Sequence, residues 1–185
     1  MLEDIYKDVD ERMKKSVDAT KHHFSAVRTG RATPALLDNL KVDYYGTQTP
    51  ILQLAGIATP EARLLTIQAY DKTAIPSIEK AISQSDLGLT PVNDGNLIRI
   101  SIPPLTEERR KELVKVVHKM GEEGRVAIRN VRKDANHHID LLKEEGHISE
   151  DDIKIAHDNI QEDTNNFIKI IDGAVELKEK EIMED

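Results

Sequence analysis

Residues 106–146 read TEERRKELVKVVHKMGEEGRVAIRNVRKDANHHIDLLKEEG and contain no proline. Apolar or small residues recur at Leu113, Val117, Met120, Gly124, Ile128, Val131, Ala135, Ile139 and Leu142. Steps of three and four place them on one stripe of a helix. Thr106 is the expected N-cap, and Glu107 and Glu108 fall in the first turn, where the helix dipole favours acid. Gly146 is the expected stop. A helix of this length cannot bury its own stripe, so the stretch calls for partner helices.

Two such partners can be read on either side. Residues 2–29 carry Leu2, Ile5, Val9, Met13, Val17, Thr20, Phe24 and Val27 at helical spacing, with Gly30 as a stop. After Gly146, Ser149 to Asp152 forms an S-x-x-D capping box. Ile153, Ala156, Ile160, Thr164, Phe167, Ile171, Ala174 and Leu177 then make a third stripe. Three long stripes can bury one another as an elongated antiparallel three-helix bundle. The second and third helices would each span roughly 50 to 60 Å.

Proline and histidine divide the chain. All seven prolines lie between Pro34 and Pro104, and all seven histidines lie outside that span. Proline inside a helix costs roughly 3 kcal/mol, so the outer segments are free to be long helices and the inner one is not. Within residues 31–104, Lys41–Tyr44, Leu65–Tyr70 and Ile98–Ile102 alternate as strands do, and Gly46, Gly56, Gly88 and Gly95 punctuate them. Residues 73–85 fit one short helix with Pro76 in its first turn and Ile75, Ile78 and Ile82 facing inward. The expected fold class is α+β. Residues 1–30 and 105–185 form a discontinuous bundle, and 31–104 form an inserted small α/β domain. The chain crosses between them twice, so Gly30, Arg31, Pro103, Pro104 and Leu105 are expected to form a two-strand hinge.

Composition narrows the function. The chain has 185 residues, no cysteine and no tryptophan, 32% charged residues and a mean hydropathy of -0.50. Thiolate metal sites, disulfides and cysteine nucleophiles are excluded. The longest charge-free run, Tyr44 to Pro60, holds two glycines and two prolines, so it is no membrane span. The acidic start, Met1-Leu2-Glu3-Asp4, lacks the base and apolar run of a secretory signal. A soluble cytoplasmic protein is expected. The net charge of -8 hides a local pattern, because residues 146–185 carry 4 basic and 12 acidic side chains. From Arg12 to Arg31 there are six basic residues against one acid, and from Arg109 to Lys133 nine against three.

The sharpest basic feature is Arg125, Arg129, Arg132 and Lys133, at offsets of 4, 7 and 8 on one helix face. No acid sits four residues ahead of Arg129, Arg132 or Lys133 to pair along the helix. Such a row suits phosphate, because each guanidinium can hold two oxygens. The alternative is an ordinary solvated face. No P-loop, G-x-G-x-x-G or H-E-x-x-H is present. His22-His23 and His137-His138 are adjacent pairs pointing about 100° apart, a poor arrangement for a shared metal. Asp151-Asp152 suits a helix N-terminus, and Tyr44-Tyr45 reads as strand-core tyrosine beside a turn. Nothing assembles a nucleophile, a base and an oxyanion site, so no enzyme, cofactor or metal is expected.

Longer blocks carry a resemblance. Arg28-Thr-Gly-Arg-Ala-Thr-Pro-Ala-Leu-Leu37, Val42-Asp-Tyr-Tyr-Gly46, Asp86-Leu-Gly-Leu89, Pro103-Pro-Leu-Thr-Glu-Glu-Arg-Arg-Lys111 and Val126-Ala-Ile-Arg-Asn-Val-Arg-Lys-Asp134 stand in order along the chain. Over its full length the chain resembles the bacterial ribosome recycling factors. That family often has a second arginine where this chain has Lys133. The resemblance implies a factor that enters the post-termination 70S ribosome and, with elongation factor G and GTP, promotes its separation into subunits. GTP hydrolysis would belong to that partner. The family's large-subunit rRNA-binding arginines fall on Arg129 and Arg132, with Arg28, Arg31 and Arg110 as secondary candidates. A monomer is expected. Two other classes stay open at this point: a coiled-coil scaffold or chaperone, which needs an exposed apolar stripe, and an α+β enzyme, which needs a pocket with perturbed titratable groups.

Overall fold

The computed structural model describes residues 1–184. In chain order the elements are α1 (Leu2–Ser25), β1 (Lys41–Tyr44), β2 (Thr47–Pro50), a single turn α2 (Ile51–Leu54), β3 (Ala55–Glu61), β4 (Leu64–Ala69), α3 (Ile75–Gln84), β5 (Pro91–Asn93), β6 (Ile98–Ser101), α4 (Glu107–Glu144) and α5 (Glu150–Met183). They fall into two compact units, Met1–Arg28 with the chain from Thr106 onward, and Thr29–Leu105.

The first unit is a three-helix bundle. Side-chain pairs fix its directions. Along α4, Arg125 meets Asp172, Arg132 meets Gln161 and His157 meets Asp140, so rising numbers on α4 meet falling numbers on α5. Arg12 meets Asp134 and Thr20 lies against Gly124, so α1 also runs against α4. Tyr6 meets Asn159, which leaves α1 and α5 parallel. The caps follow the sequence. Thr106 Oγ1 accepts the Arg109 N–H at 3.2 Å, and Ser149 Oγ accepts the Asp152 N–H at 3.1 Å. The Asp152 carboxylate does not reach back to the backbone; it accepts the Ser149 hydroxyl at 2.6 Å. Gly146 ends α4 with φ +72°, a conformation few L-residues adopt.

Three details differ from the stripes. The first helix stops at Ser25, whose hydroxyl donates to the His22 carbonyl at 2.6 Å, and the last turn tightens through Val27 N–H to Phe24 O. On α4, Gly121 joins Gly124 in the buried face. A β-carbon on Gly121 would stand 2.5 Å from Val175 Cγ2, and one on Gly124 would overlap Thr20 Oγ1. The helices approach through these two glycines. On α5, Val175 and Ile182 are buried in place of Ala174 and Leu177, and Leu177 is exposed. The intervening inward position belongs to Lys178. Its stem is mostly covered while its ammonium reaches Glu181 at 3.4 Å. A charged residue with a buried stem breaks the apolar periodicity and moves the apparent stripe by one residue.

The second unit sets a four-stranded antiparallel sheet, order β3-β4-β6-β5, beside the β1–β2 hairpin and α3. Leu65, Ile67, Ile98 and Ile100 are buried on the sheet, together with Ile75, Ile78 and Ile82 of α3. In the hairpin Tyr44 pairs with Thr47, which leaves a two-residue loop. Tyr45 and Gly46 both have positive φ, +50° and +81°, as a type I′ turn requires. Tyr44 is half-buried and donates its hydroxyl to Asp71 Oδ2 at 2.8 Å. Tyr45 corrects the strand-core reading: it is 79% exposed, edge-on to Tyr44, with its hydroxyl 3.2 Å from Thr73 Oγ1.

Candidate nucleic-acid interface

The basic row lies on α4 beside the face that Ile128, Val131 and Ala135 commit to the core. Arg125, Arg129 and Arg132 are half-buried at its border and Lys133 is exposed. The row is not free of acid, which corrects the sequence expectation. Glu122 stands three residues before Arg125 and seven before Arg129, two turns along one face. Its Oε2 accepts from Arg125 Nη1 at 3.0 Å and its Oε1 accepts from Arg129 Nη1 at 3.0 Å. From α5, Asp172 Oδ1 accepts Arg125 Nε at 2.7 Å, and Gln161 Oε1 accepts Arg132 Nη1 at 3.3 Å. Looking only four residues ahead misses the Glu122 pairing, and the α5 partners need tertiary structure to be seen.

The members of the row differ in what they can still do. The Arg125 side chain is only 20% exposed and has two carboxylate partners. Burial opposes its charge, but Asp172 and Glu122 outweigh that and raise its pKa. It anchors α4 to α5. The Arg129 side chain is 42% exposed and commits one nitrogen to Glu122. A guanidinium has five N–H donors, so such a residue can still take a phosphate. Hydrogen bonds from Arg129 first, then Arg125, hold Glu122 below the ordinary carboxylate value.

The other basic candidates sit elsewhere. Arg12 of α1 bonds Asp134 at 2.9 Å and faces Asp8 at 3.5 Å, which turns it into a strut between α1 and α4. The same bond masks the acid that immediately follows Lys133. Arg110 donates to the Met183 carbonyl at 3.2 Å and so caps the end of α5. It lies 19 residues before Arg129 on α4, about 28 Å along the axis. Arg28 follows α1 in the first unit and Arg31 belongs to the second; both are exposed. Among the described residues, no group of His, Asp and Glu is arranged to hold a metal ion, and no helix is long and apolar enough to cross a membrane.

Comparison with known proteins adds the family. The sequence profile described as ribosome recycling factor matches residues 20–183. The ribosome-recycling factor of Syntrophomonas wolfei is 56% identical over 184 residues, covering 100% of both chains. That of Thermosynechococcus vestitus is 54% identical, covering 95% of this chain and 97% of its own. A solution structure of a ribosome recycling factor, 47% identical, superposes with a TM-score of 0.77 over 100% of this chain and 98% of that one. The T. thermophilus ribosome recycling factor has been described together with the E. coli elongation factor G bound to the E. coli post-termination complex. It is 48% identical, with a TM-score of 0.66 over 99% of each chain. A full-length match in sequence, together with a bundle of three long helices and a small antiparallel sheet unit, makes this chain a member of the ribosome recycling factor family of non-enzymatic translation factors.

Proposed function

We propose that this protein binds the post-termination 70S ribosome in the cytoplasm as a monomer and, with elongation factor G and GTP, separates it into subunits for another round of initiation. Arg129 and Arg132, with Lys133 beside them, hold phosphates of large-subunit rRNA. Arg125 sets the row by tying α4 to α5, and Arg28, Arg31 and Arg110 make secondary contacts. The bundle is the docking part, and the inserted unit turns on the two crossings at Gly30-Arg31 and Pro103-Pro104-Leu105. The GTPase supplies the energy. The observation that carries this reading is the pair of half-exposed guanidiniums on one face of α4, in a chain related at 56% identity to a ribosome-recycling factor.

The test is ribosome binding of Arg129→Ala and Arg132→Ala at several salt concentrations, beside a subunit-splitting assay with elongation factor G and GTP. Each substitution should weaken binding by about 1 to 3 kcal/mol, the size of a charge-assisted hydrogen bond. Each should lower the salt slope of log affinity by about one unit, because fewer counterions are released. Melting should be nearly unchanged. Equal affinity and an unchanged slope in the double variant would sink the assignment.

A further inference from the structure

We infer that Glu122 is a built-in competitor for the phosphate-binding row: its carboxylate occupies Arg129 in the free protein and must yield that guanidinium to the nucleic acid. This rests on the reading of the row given above and adds its regulation. Carboxylate and phosphate oxygens accept the same guanidinium N–H groups, so one can stand in for the other. Glu122 spans two turns, with one oxygen on Arg125 and the other on Arg129, each at 3.0 Å.

The two arginines are not held equally. Arg125 also has Asp172 of α5 at 2.7 Å, so it stays in place when Glu122 leaves. Arg129 has Glu122 as its carboxylate partner and is the more exposed of the two. The Glu122 side chain is itself 53% exposed. An ion pair in water is weak and exchanges readily, whereas a phosphate array that meets Arg129 and Arg132 together offers several bonds at once. A single stray phosphate gains little over Glu122. The effect is a threshold: the free factor resists casual polyanions and opens its row to a surface that engages several of its members.

Binding of the full chain to vacant ribosomes and to poly(U) tests this, with Glu122→Gln against wild type. Glu123→Gln is the control. It removes the same charge from the same turn, but Glu123 lines the α1-facing groove beside Thr20 and Ala127. Glu122→Gln should bind both probes about three- to tenfold more tightly, the weight of one or two exposed ion pairs. Glu123→Gln should change affinity less than twofold, and the gain should vanish in Glu122→Gln/Arg129→Ala. No gain, a loss, a gain matched by Glu123→Gln, or a gain that survives loss of Arg129 would each overturn the inference. Glu122→Ala repeats the measurement should the glutamine variant melt early. If Arg129→Ala alone leaves ribosome affinity unchanged, the ribosomal reading of the row fails. If it weakens binding while Glu122→Gln tightens nothing, only the competitor role fails.

Discussion

Replacing Gly124 with alanine adds one methyl group where α1, α4 and α5 meet. That methyl would overlap Thr20 Oγ1 and stand 3.2 Å from Thr20 Cγ2 and 3.0 Å from Ile171 Cδ1. Neither neighbour can retreat easily. Thr20 is 4% exposed, and its hydroxyl is committed to the Ser16 carbonyl at 2.9 Å; Ile171 is 1% exposed. Overpacking a tight site costs about 1 to 3 kcal/mol, and two immobile β-branched neighbours on different helices put this one in the upper half. Against it stands the helix propensity of alanine over glycine, about 1 kcal/mol. The net should be a loss of about 1 to 2 kcal/mol. Gly173 on α5 isolates the propensity term, because a β-carbon there would meet nothing within 4 Å. Gly173→Ala should therefore stabilise by about 1 kcal/mol. Thermal melts followed by helical circular dichroism should separate the two variants, at about 2 to 4 °C per kcal/mol. Thr20→Ala should restore part of the loss when combined with Gly124→Ala, a coupling that a double-mutant cycle reads directly. A Gly124→Ala protein that melts as high as Gly173→Ala would refute the argument, since propensity alone would then govern both sites.

Two further outcomes are expected. Burial first, then Asp10 and Glu162, raise the Asp163 carboxyl above its ordinary value. Its protonated form is thus favoured by folding, so its stabilising contribution is present below the unfolded pKa and lost as pH rises through the folded one. Asp163→Asn should raise the melting temperature at pH 7, and the gain should shrink as pH is lowered towards 4; a gain constant with pH would contradict this. At the second crossing, Pro103-Pro104 replaced by Gly-Gly should keep ribosome affinity while cutting splitting, measured by co-sedimentation and light scattering. Equal losses of both would make that crossing part of the docking surface instead.

The long helices were legible because proline and glycine act locally. A span free of proline with Leu113, Val117 and Ile128 in step leaves few alternatives to a helix. The α3 helix and strands β1, β4 and β6 were legible for the same kind of reason, since Ile98 and Ile100 alternate with polar neighbours. The strands β2, β3 and β5 were not: Thr47-Gln48-Thr49-Pro50 and Pro91-Val92-Asn93 bury little of themselves, and Gly56, read as a break, lies inside the mostly exposed β3, so hydropathy does not mark them. On α5, a lysine stem in an inward position hid the true register. At the basic row, the residue types could be read but their partners could not. Asp172 and Gln161 reach the row from another helix, and Glu122 acts across two turns. The same distance hid the fate of Arg12 and Arg110, whose partners lie 122 and 73 residues away.

The split bundle has a consequence for how the protein is made. Ser25 ends α1 and Glu107 begins α4, 82 positions later. At about 5 to 20 residues per second, a ribosome needs roughly 4 to 16 s to cover that gap. During those seconds the stripe of Val9, Met13, Val17 and Phe24 has no helix to lie against, and most of a helix's stability in a protein comes from packing such a face. The sheet unit needs no such wait, because every strand it pairs lies between Lys41 and Ser101. It can close while α1 is still a loose amphipathic leader. The earlier helix, α1, is thus among the last elements to find its place. A chain released before Thr106 is reached would present a finished sheet unit and an unsheltered apolar helix, the form most exposed to chaperones and proteases.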